Sequence, residues 1–346
     1  MELYSTTTLI GVQNRQKPDN FFWLDTFFGE VMTFETEEIA FEKINPSKKM
    51  APFVSPRVQG RVMKREGSTS KTLRPAYVKP KHVVNPFDAR PRRVGEAING
   101  SASLDQRYNA IVAENLAEEQ NMIRRRLDWM CAAAARDGKV IIVGEDYPEV
   151  EVDFERDPSL DVTLVGLARW GESAADPLGD LKLARRNVSA AGGGKITTLV
   201  MGTGAFDNMY DDPKVQAMLK VNGNRGETSQ IASMGDEDAM VEYMGFLQGG
   251  NGQGRLDIWT YTGSYDGYDG NPVELLGVDE VVGIGPKFRG VRCFGAIMDK
   301  KAQLRALEMF PKMWDEEDPS QTLTMTQSAP LMVPGETNAS FRIKTR

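Results

Sequence analysis

The chain has 346 residues, 40% of them hydrophobic, and a formal net charge of −7, which is ordinary for a globular protein with room for two domains. Its longest apolar runs are far too short to span a membrane, and a secretory signal is not expected from its first residues. Cys131 and Cys293 are the only cysteines and His82 is the only histidine, which argues against a disulfide scaffold, most metal sites and most histidine-dependent catalysis. We therefore expect both thiols to be core residues of a protein made in a reducing cytoplasm.

Residues 1–45 predict an N-terminal arm. The segment is rich in aromatic residues, yet no helical or strand period is sustained along it. An irregular aromatic segment needs another surface to cover it. That surface could belong to the same chain or to a neighbouring copy, and the sequence leaves both alternatives open.

Residues 46–93 form a strongly basic segment. It contains 13 Lys or Arg and two acidic residues, a balance of +11 inside a chain of −7. Alternation from Arg57 to Met63, followed by a return from Leu73 to Lys79, predicts a two-stranded hairpin with its turn at 65–70. Pro75 and Pro80 cannot donate ladder hydrogen bonds, so we expect this hairpin to project as an edge.

A long helix is predicted next. Ser103 and Gln106 have the spacing of a capping box, and apolar residues then recur at helical spacing. Gly138 is a natural helix terminator. The pattern predicts one helix over 104–137.

The rest of the chain predicts a mixed α/β region. Predicted strands cover 139–144, 149–154, 160–165, 196–201, 256–262, 291–297 and 321–331. Predicted helices cover 178–190 and 299–310, and another begins with Asp212 as N-cap and Pro213 at the first position. From Val140 to Glu280 there are 25 acidic and 10 basic residues, a balance of −15. This segregation of charge suggests that the basic segment of one copy meets the acidic part of another.

No motif supports an enzyme. Gly194-Lys195 is followed by Ile196 and lacks the earlier glycine of a phosphate loop, and 249–254 has the wrong spacing for a dinucleotide loop. The sequence contains no Gly-x-Ser-x-Gly, and 266–271 lacks the spacing and final Glu of an EF-hand. We therefore predict no catalytic, cofactor-binding or metal-ligating residues.

A nucleic-acid-binding protein that uses the basic hairpin at 46–93 is the alternative. A ribbon that reads bases is expected to interleave aromatic side chains, and only Phe53, Tyr77 and Phe87 lie in this segment. The net charge of −7 would also repel DNA over most of the surface. The charge pattern thus favours self-association.

Several motifs together resemble those of the lambda-type major head proteins of tailed bacteriophages. They are Val54-Ser55-Pro56-Arg57-Val58-Gln59-Gly60, Gly67-Ser68-Thr69-Ser70, Tyr77-Val78-Lys79-Pro80-Lys81-His82, Val84-Asn85-Pro86 and Thr324-Met325-Thr326-Gln327-Ser328-Ala329-Pro330-Leu331-Met332. Their order and spacing match over almost the whole chain, whereas the centre, about 171–285, matches only in pattern.

The resemblance implies the α+β Hong Kong 97-type capsid fold. Its parts would be an N-arm at 1–45, an extended β-hairpin called the E-loop at 46–95, a P-domain at 96–175 with the spine helix at 104–137, a mixed α/β A-domain at 176–312, and a return to the P-domain at 313–346. The implied function is that of a major capsid protein. Its pentamers and hexamers would build an icosahedral head around packaged double-stranded DNA, assembled in the bacterial host cytoplasm.

The resemblance also implies partners. A portal is expected, scaffold would be a separate protein because no long helical segment precedes the arm, and a decoration protein could add a strand to the arm and E-loop. DNA would lie nearby without specific contacts, no membrane is involved, and the lysine–asparagine crosslink of some relatives is not expected. The predicted E-loop contacts between subunits are Arg57, Arg61, Lys64, Arg65, Lys79 and Lys81.

Overall fold

The computed structural model describes residues 4–15, 21–36, 39–44, 68–85, 87–88, 90–91, 103–144, 147–217, 240–249, 254–267, 269–318 and 320–346. Its helices are α1 Thr6–Gln13, α2 Phe22–Phe27, α3 Leu104–Asp137, α4 Pro177–Ala190 and α5 Thr203–Tyr210. Its strands are β1 Glu30–Thr33, β2 Ile39–Ile44, β3 Ser68–Leu73, β4 Lys81–Val84, β5 Lys139–Gly144, β6 Tyr147–Asp153, β7 Asp161–Thr163, β8 Thr198–Met201, β9 Val241–Gly249, β10 Gly254–Tyr261, β11 Ser264–Asp266, β12 Pro272–Glu274, β13 Glu280–Ile284, β14 Val291–Phe294, β15 Phe310–Glu316, β16 Gln321–Gln327, β17 Pro330–Val333 and β18 Ser340–Lys344.

Helix α3 has the bounds predicted from the sequence. The Ser103 side chain accepts the Gln106 N–H at 3.2 Å, and the Gln106 side chain accepts the Ser103 N–H at 2.9 Å. Gly138 ends the helix in the left-handed region with φ of 67°. At 1.5 Å per residue the helix is about 50 Å long. The capping box and the glycine terminator are therefore confirmed.

The two halves of α3 pack in different cores. Its second half lies in the largest core, where Leu127 and the run from Met130 to Ala135 are buried beside arm residues and β17. Its first half lies in a smaller core, in which Tyr108, Val112 and Leu116 pack with Leu9 of α1. One helix thus supports two separate parts of the molecule.

The largest sheet has six strands in the order β7-β18-β13-β8-β10-β9. A second core lies against it and includes Leu181 and Val188 of α4 and Phe206 of α5. The sheet joins strands from segments that the resemblance assigns to the P-domain, β7 and β18, with strands assigned to the A-domain. The domain boundaries themselves stay a prediction.

Two three-stranded sheets flank α3. One has the order β1-β14-β17, in which arm strand β1 runs parallel to β14, and the other has the order β15-β16-β4. Strands β16 and β17 both contact α3. The arm and the end of the basic segment are therefore built into sheets with distant parts of the chain.

The expectation that the arm is irregular is wrong for its described residues, which form α1, α2, β1 and β2. Phe21, Trp23, Leu24 and Phe28 are buried in the core of their own chain. Two alternatives were open for the surface that covers the arm. For these side chains, that surface belongs to the same chain. The arm elements are short, and packing against the surfaces they cover stabilises them. No long helical or strand period therefore marks them in the sequence.

The predicted hairpin of the basic segment is also corrected. Residues 68–70 were expected in a turn, but they lie in β3, which pairs antiparallel with arm strand β2 from Ile39 opposite Leu73 to Ile44 opposite Ser68. The expected strand at 57–63 lies outside the described residues. Residues 74–77, expected to continue the returning strand, are not in a strand. The β-branched threonines in this stretch suit an extended backbone when a partner strand is available.

The helix predicted over 299–310 is wrong. Gln303 and Leu304 have positive φ of 54° and 57°, and Phe310 begins strand β15. Asp299 instead caps a turn, since its Oδ1 accepts the Lys301 N–H at 2.8 Å. The bridge between Ala296 and Ala306, with the Ile297 N–H donating to the Arg305 carbonyl at 3.0 Å, holds this stretch as a loop and overrides the local helical pattern.

The strand predicted over 321–331 is two strands. The chain leaves one sheet after β16 and enters another at β17. At the break, Ser328 Oγ donates to the Glu308 carbonyl at 2.7 Å. The strand expected at 160–165 is shorter, with the bounds of β7, and the strand expected at 291–297 ends with β14 at Phe294.

The remaining predicted elements are confirmed within a few residues. They are α4, β5, β6, β8 and β10. Asp212 is an N-cap as predicted, since its Oδ1 accepts the Lys214 N–H at 2.8 Å, and residues 213–217 are helical.

Candidate subunit-contact surface

The basic segment is fastened to the body where it returns from β3. The Ala76 N–H donates to the Pro330 carbonyl at 3.1 Å, and Val78 and Ser328 exchange backbone hydrogen bonds at 2.9 Å in both directions. The Tyr77 hydroxyl donates to Gln327 Oε1 at 2.6 Å. Backbone pairing and one tyrosine therefore fix this end of the segment.

Two of the predicted contact residues lie at this fastening. Lys79 precedes β4 and Lys81 begins it, and both side chains are exposed. Strand β4 pairs with β16, with Lys81 opposite Met325. The other four predicted contact residues, Arg57, Arg61, Lys64 and Arg65, lie outside the described residues. The structure therefore places two of the six predicted contact residues at the beginning of a paired strand.

A buried carboxylate lies directly beneath this fastening. Glu119 of α3 has no exposed surface, and it accepts the hydroxyls of Thr324 and Thr326 at 2.7 Å each. His82 Nδ1 lies 3.3 Å from Glu119 Oε1. Gln13 of α1 donates to the Thr326 hydroxyl at 3.0 Å. Burial raises the pKa of Glu119, and its hydrogen bonds partly oppose that rise.

This cluster joins four elements, α1, β4, α3 and β16. The single histidine of the chain is thus a structural partner of a buried acid. Sequence reasoning missed the cluster, because its members are far apart in the chain and none forms a motif. The only available signal was the acidic residue on the apolar stripe of a predicted helix.

A second buried carboxylate of α3 holds the arm. Asp128 accepts the Leu24 N–H at 2.8 Å and the Tyr265 hydroxyl at 3.0 Å. Burial raises the pKa of Asp128 to about 6. Because one oxygen of this carboxylate accepts a backbone N–H of α2, Asp128 fixes the point where the arm crosses α3.

Ionic contacts surround the same crossing. Asp25 of α2 lies 3.1 Å from Arg124 of α3 and 3.1 Å from Arg292 of β14. Arg292 also donates to the Phe28 carbonyl at 2.6 Å and to the Leu24 carbonyl at 2.9 Å. Because these groups are partly shielded from water, the contacts are screened less than surface ion pairs.

An acidic edge lies on the β5–β6 hairpin. Five exposed carboxylates follow one another in and just after β6, namely Glu149, Glu151, Asp153, Glu155 and Asp157. The predicted alternation of this strand is confirmed, since Val152 is buried and Val150 packs against the core. Lys139 pairs with Glu151 at 2.8 Å. This edge is the densest run of exposed acids in the described part of the predicted acidic region.

Neither thiol is placed for chemistry. Cys131 and Cys293 are both buried and free, and burial raises the pKa of the Cys293 thiol to about 12. The expectation that both are core residues is confirmed. Among the described residues no cluster of His, Cys, Asp or Glu could hold a metal ion, and no helix there is long and apolar enough to cross a membrane.

Comparison with known proteins gives a consistent result. Residues 5–345 match the family model described as phage major capsid protein E. The chain is 30% identical over 341 residues to the major capsid protein of Enterobacteria phage P21, with 96% of each chain covered. It is 29% identical to the major capsid proteins of Escherichia phage N15, with 99% of each covered, and of Escherichia phage lambda, with 96% of each covered.

Solved structures show the same fold. The putative capsid protein of a prophage of E. coli CFT073 matches with a TM-score of 0.75 at 23% identity, covering 99% of each chain. A phage-related protein from Bordetella bronchiseptica RB50 matches with a TM-score of 0.51 at 11% identity, covering 100% of this chain and 98% of that one. The expected α+β fold of phage capsid proteins, of Hong Kong 97 type, is confirmed.

Proposed function

Because the chain belongs to the phage major capsid protein E family, we propose that it assembles through pentamers and hexamers into an icosahedral head that encloses double-stranded DNA. Its relatives are structural proteins of phage capsids, so it is a structural protein and not an enzyme. The match of the family model to residues 5–345 carries this proposal.

The contact that joins neighbouring subunits is proposed to be the basic segment. Strands β2 and β3 pair only with each other among the described residues. Ile39 at the start of β2 is buried in the core of its own chain, but a two-stranded ladder is marginal in water, so a further surface is needed to hold the rest of it. In an assembly, the body of the next subunit supplies that surface.

The acidic edge at β6 is the proposed receptor for this segment. Arg57, Arg61, Lys64 and Arg65 would lie over the exposed carboxylates of a neighbour, with Lys79 and Lys81 at the fastened end. A single exposed ion pair contributes about 0–1 kcal/mol. Repetition of the same contact around a closed ring multiplies that contribution, and opposite charge also speeds and orients the encounter.

Charge reversal tests this contact. We expect Arg61→Glu with Lys64→Glu to abolish rings and shells in negative-stain micrographs and sedimentation velocity, because like charges then face each other. Reversal of the edge by Glu149→Lys with Glu151→Lys should do the same, and combining all four changes should restore assembly. For the first double variant, the matched control is Lys300→Glu with Lys301→Glu, which makes the same change in net charge at exposed positions outside the six proposed contact residues.

Circular dichroism would verify that each variant stays folded. Normal shells from the first double variant would contradict the contact. If both double variants fail to assemble and the fourfold variant also fails to assemble, the basic segment meets some other surface.

The remaining partners are proposed on the same family basis. They are a separate scaffolding protein, a portal and a decoration protein, and assembly takes place in the bacterial host cytoplasm. Expression with and without scaffold, followed by microscopy, shows whether the chain forms rings, shells or neither. The alternative of a sequence-reading DNA-binding protein predicts tight, sequence-dependent retardation of DNA at physiological salt, whereas we expect only weak, unspecific binding.

A further inference from the structure

A basic cavity lies between α4 and the glycine turn that follows it. It has a volume of about 270 Å³ and is lined by Lys182, Arg185, Arg186 and Lys195, together with Ser189 and Gly194. None of its described lining residues is acidic. Four cations thus converge within a stretch, 140–280, whose overall balance is −15.

The sequence brings these side chains together by two local rules. Residues 182, 185, 186 and 189 are three or four apart, so they share one face of α4. The turn at 192–194 then reverses the chain, with Gly192 and Gly194 at φ of 94° and 88°. Lys195 follows the turn and faces the helix across the cavity. A fifth cation, Lys287, donates to the Gly192 carbonyl at 3.3 Å.

The dipole of α4 accounts for little of this charge. Basic side chains near the end of a helix offset its dipole, but that dipole amounts to about half an elementary charge. Asp176, at the start of α4, pairs with exposed Lys214 at 3.0 Å and also interacts electrostatically with Lys182. Burial lowers the pKa of half-buried Arg185, which is the direction expected when a cation is desolvated.

We propose that this cavity binds a phosphate group, supplied either by the backbone of DNA inside the head or by free phosphate. Two guanidinium groups can each offer paired donors to phosphate oxygens, and two ammonium groups add point charges. The volume is below the roughly 300–1,000 Å³ of sites for drug-sized ligands and is sufficient for a phosphate group. A lone carboxylate would neutralise only one of the four charges.

The phosphate site goes beyond the proposed function, and only DNA as its source rests on that function. Titration of the full purified chain with pyrophosphate in a calorimeter tests the site. We expect saturable binding that weakens by at least about tenfold in Arg186→Glu with Lys195→Glu, because two charged donors are lost. Both residues are exposed, and Lys300→Glu with Lys301→Glu is the matched control with unchanged binding.

Further ligands identify the source. A short DNA duplex that competes with pyrophosphate supports packaged DNA, and a duplex that does not compete supports free phosphate. The proposal is overturned if pyrophosphate does not bind, if the control variant loses binding equally, or if polyglutamate binds as well as pyrophosphate. The last result would assign the cavity to an acidic surface of another protein chain. These titrations need no assembled shell. They can therefore fail while the assembly tests succeed, and they can succeed while the assembly tests fail.

Discussion

The two halves of α3 differ in how fully they are enclosed. Its start is open, with Leu104 53% exposed, and Met122 near its middle is 44% exposed. From Met130 to Ala135 every side chain is buried. The first half is therefore an amphipathic helix on the margin of a small core, whereas the second half passes through the centre of the largest one. A single regular helix can serve both roles when its side chains change from one apolar stripe to small residues on every face.

The same contrast extends to buried carboxylates. Glu119 in the first half binds side chains of β16 and lies beside His82, whereas Asp128 in the second half binds a backbone N–H of the arm. The two acids are nine residues apart, so they lie on opposite faces of the helix, and each face meets other elements. Each half of the helix thus holds a different part of the N-terminal arm, α1 by way of Gln13 and α2 by way of Leu24.

Matched leucine deletions would sharpen this comparison most. Leu127 and Leu116 are both fully buried on α3, one in each half. We expect Leu127→Ala to lower the free energy of unfolding by about 3–5 kcal/mol and Leu116→Ala by about 2–3 kcal/mol, because the smaller core relaxes more readily around a cavity. Urea denaturation of unassembled subunits measures both. Equal losses would show that the two halves are enclosed equally well.

A pH series tests the buried acid of the second half. Because the pKa of Asp128 is about 6 in the folded chain and 3.8 ordinarily, the folded state binds the extra proton between these values. Its contribution to stability is thus full below about pH 4 and is lost as pH rises through about 6, a total of about 2–3 kcal/mol. Asp128→Asn keeps an acceptor for the Leu24 N–H but does not titrate.

We therefore expect the variant to gain stability relative to the original chain by about 2 kcal/mol between pH 4 and pH 7.5. Urea denaturation at several pH values gives this difference. Every other acid, Glu119 included, is present in both chains, so the difference isolates Asp128. Parallel pH curves for the two chains would contradict the assignment.

The smallest expected effect concerns the open end of α3. Ser103→Ala removes the acceptor for the Gln106 N–H and should cost about 1 kcal/mol, whereas Ser103→Thr should stay within about 0.5 kcal/mol. Hydrogen exchange should accelerate in the first turn only. Acceleration that reached Met130 would show that the two halves open together.

Local signals explain what could be predicted from the sequence. Helix α3 was predicted to its last residue because its cap, its stripe and its terminator are all adjacent in the chain. The helix expected at 299–310 failed because a bridge between Ala296 and Ala306 holds the stretch as a loop, and this contact outweighs a local pattern. The Glu119 cluster and the strand order of the sheets depend on residues hundreds of positions apart, which a period in one segment does not reveal. The alternation of acidic and apolar residues in β6 was visible in the sequence. The face of the molecule on which these acids lie was not.

The position of β18 in the largest sheet has a consequence for synthesis on the ribosome. It lies between β7 and β13, and its Arg342 pairs with Asp161 of β7 and with Asp137 at the end of α3. Until residues 340–344 have emerged, one edge of β13 has no partner strand and β7 has no sheet to join. Such an open edge pairs readily with other chains. A growing polypeptide is thus exposed to mispairing at this edge until β18 is inserted between β7 and β13.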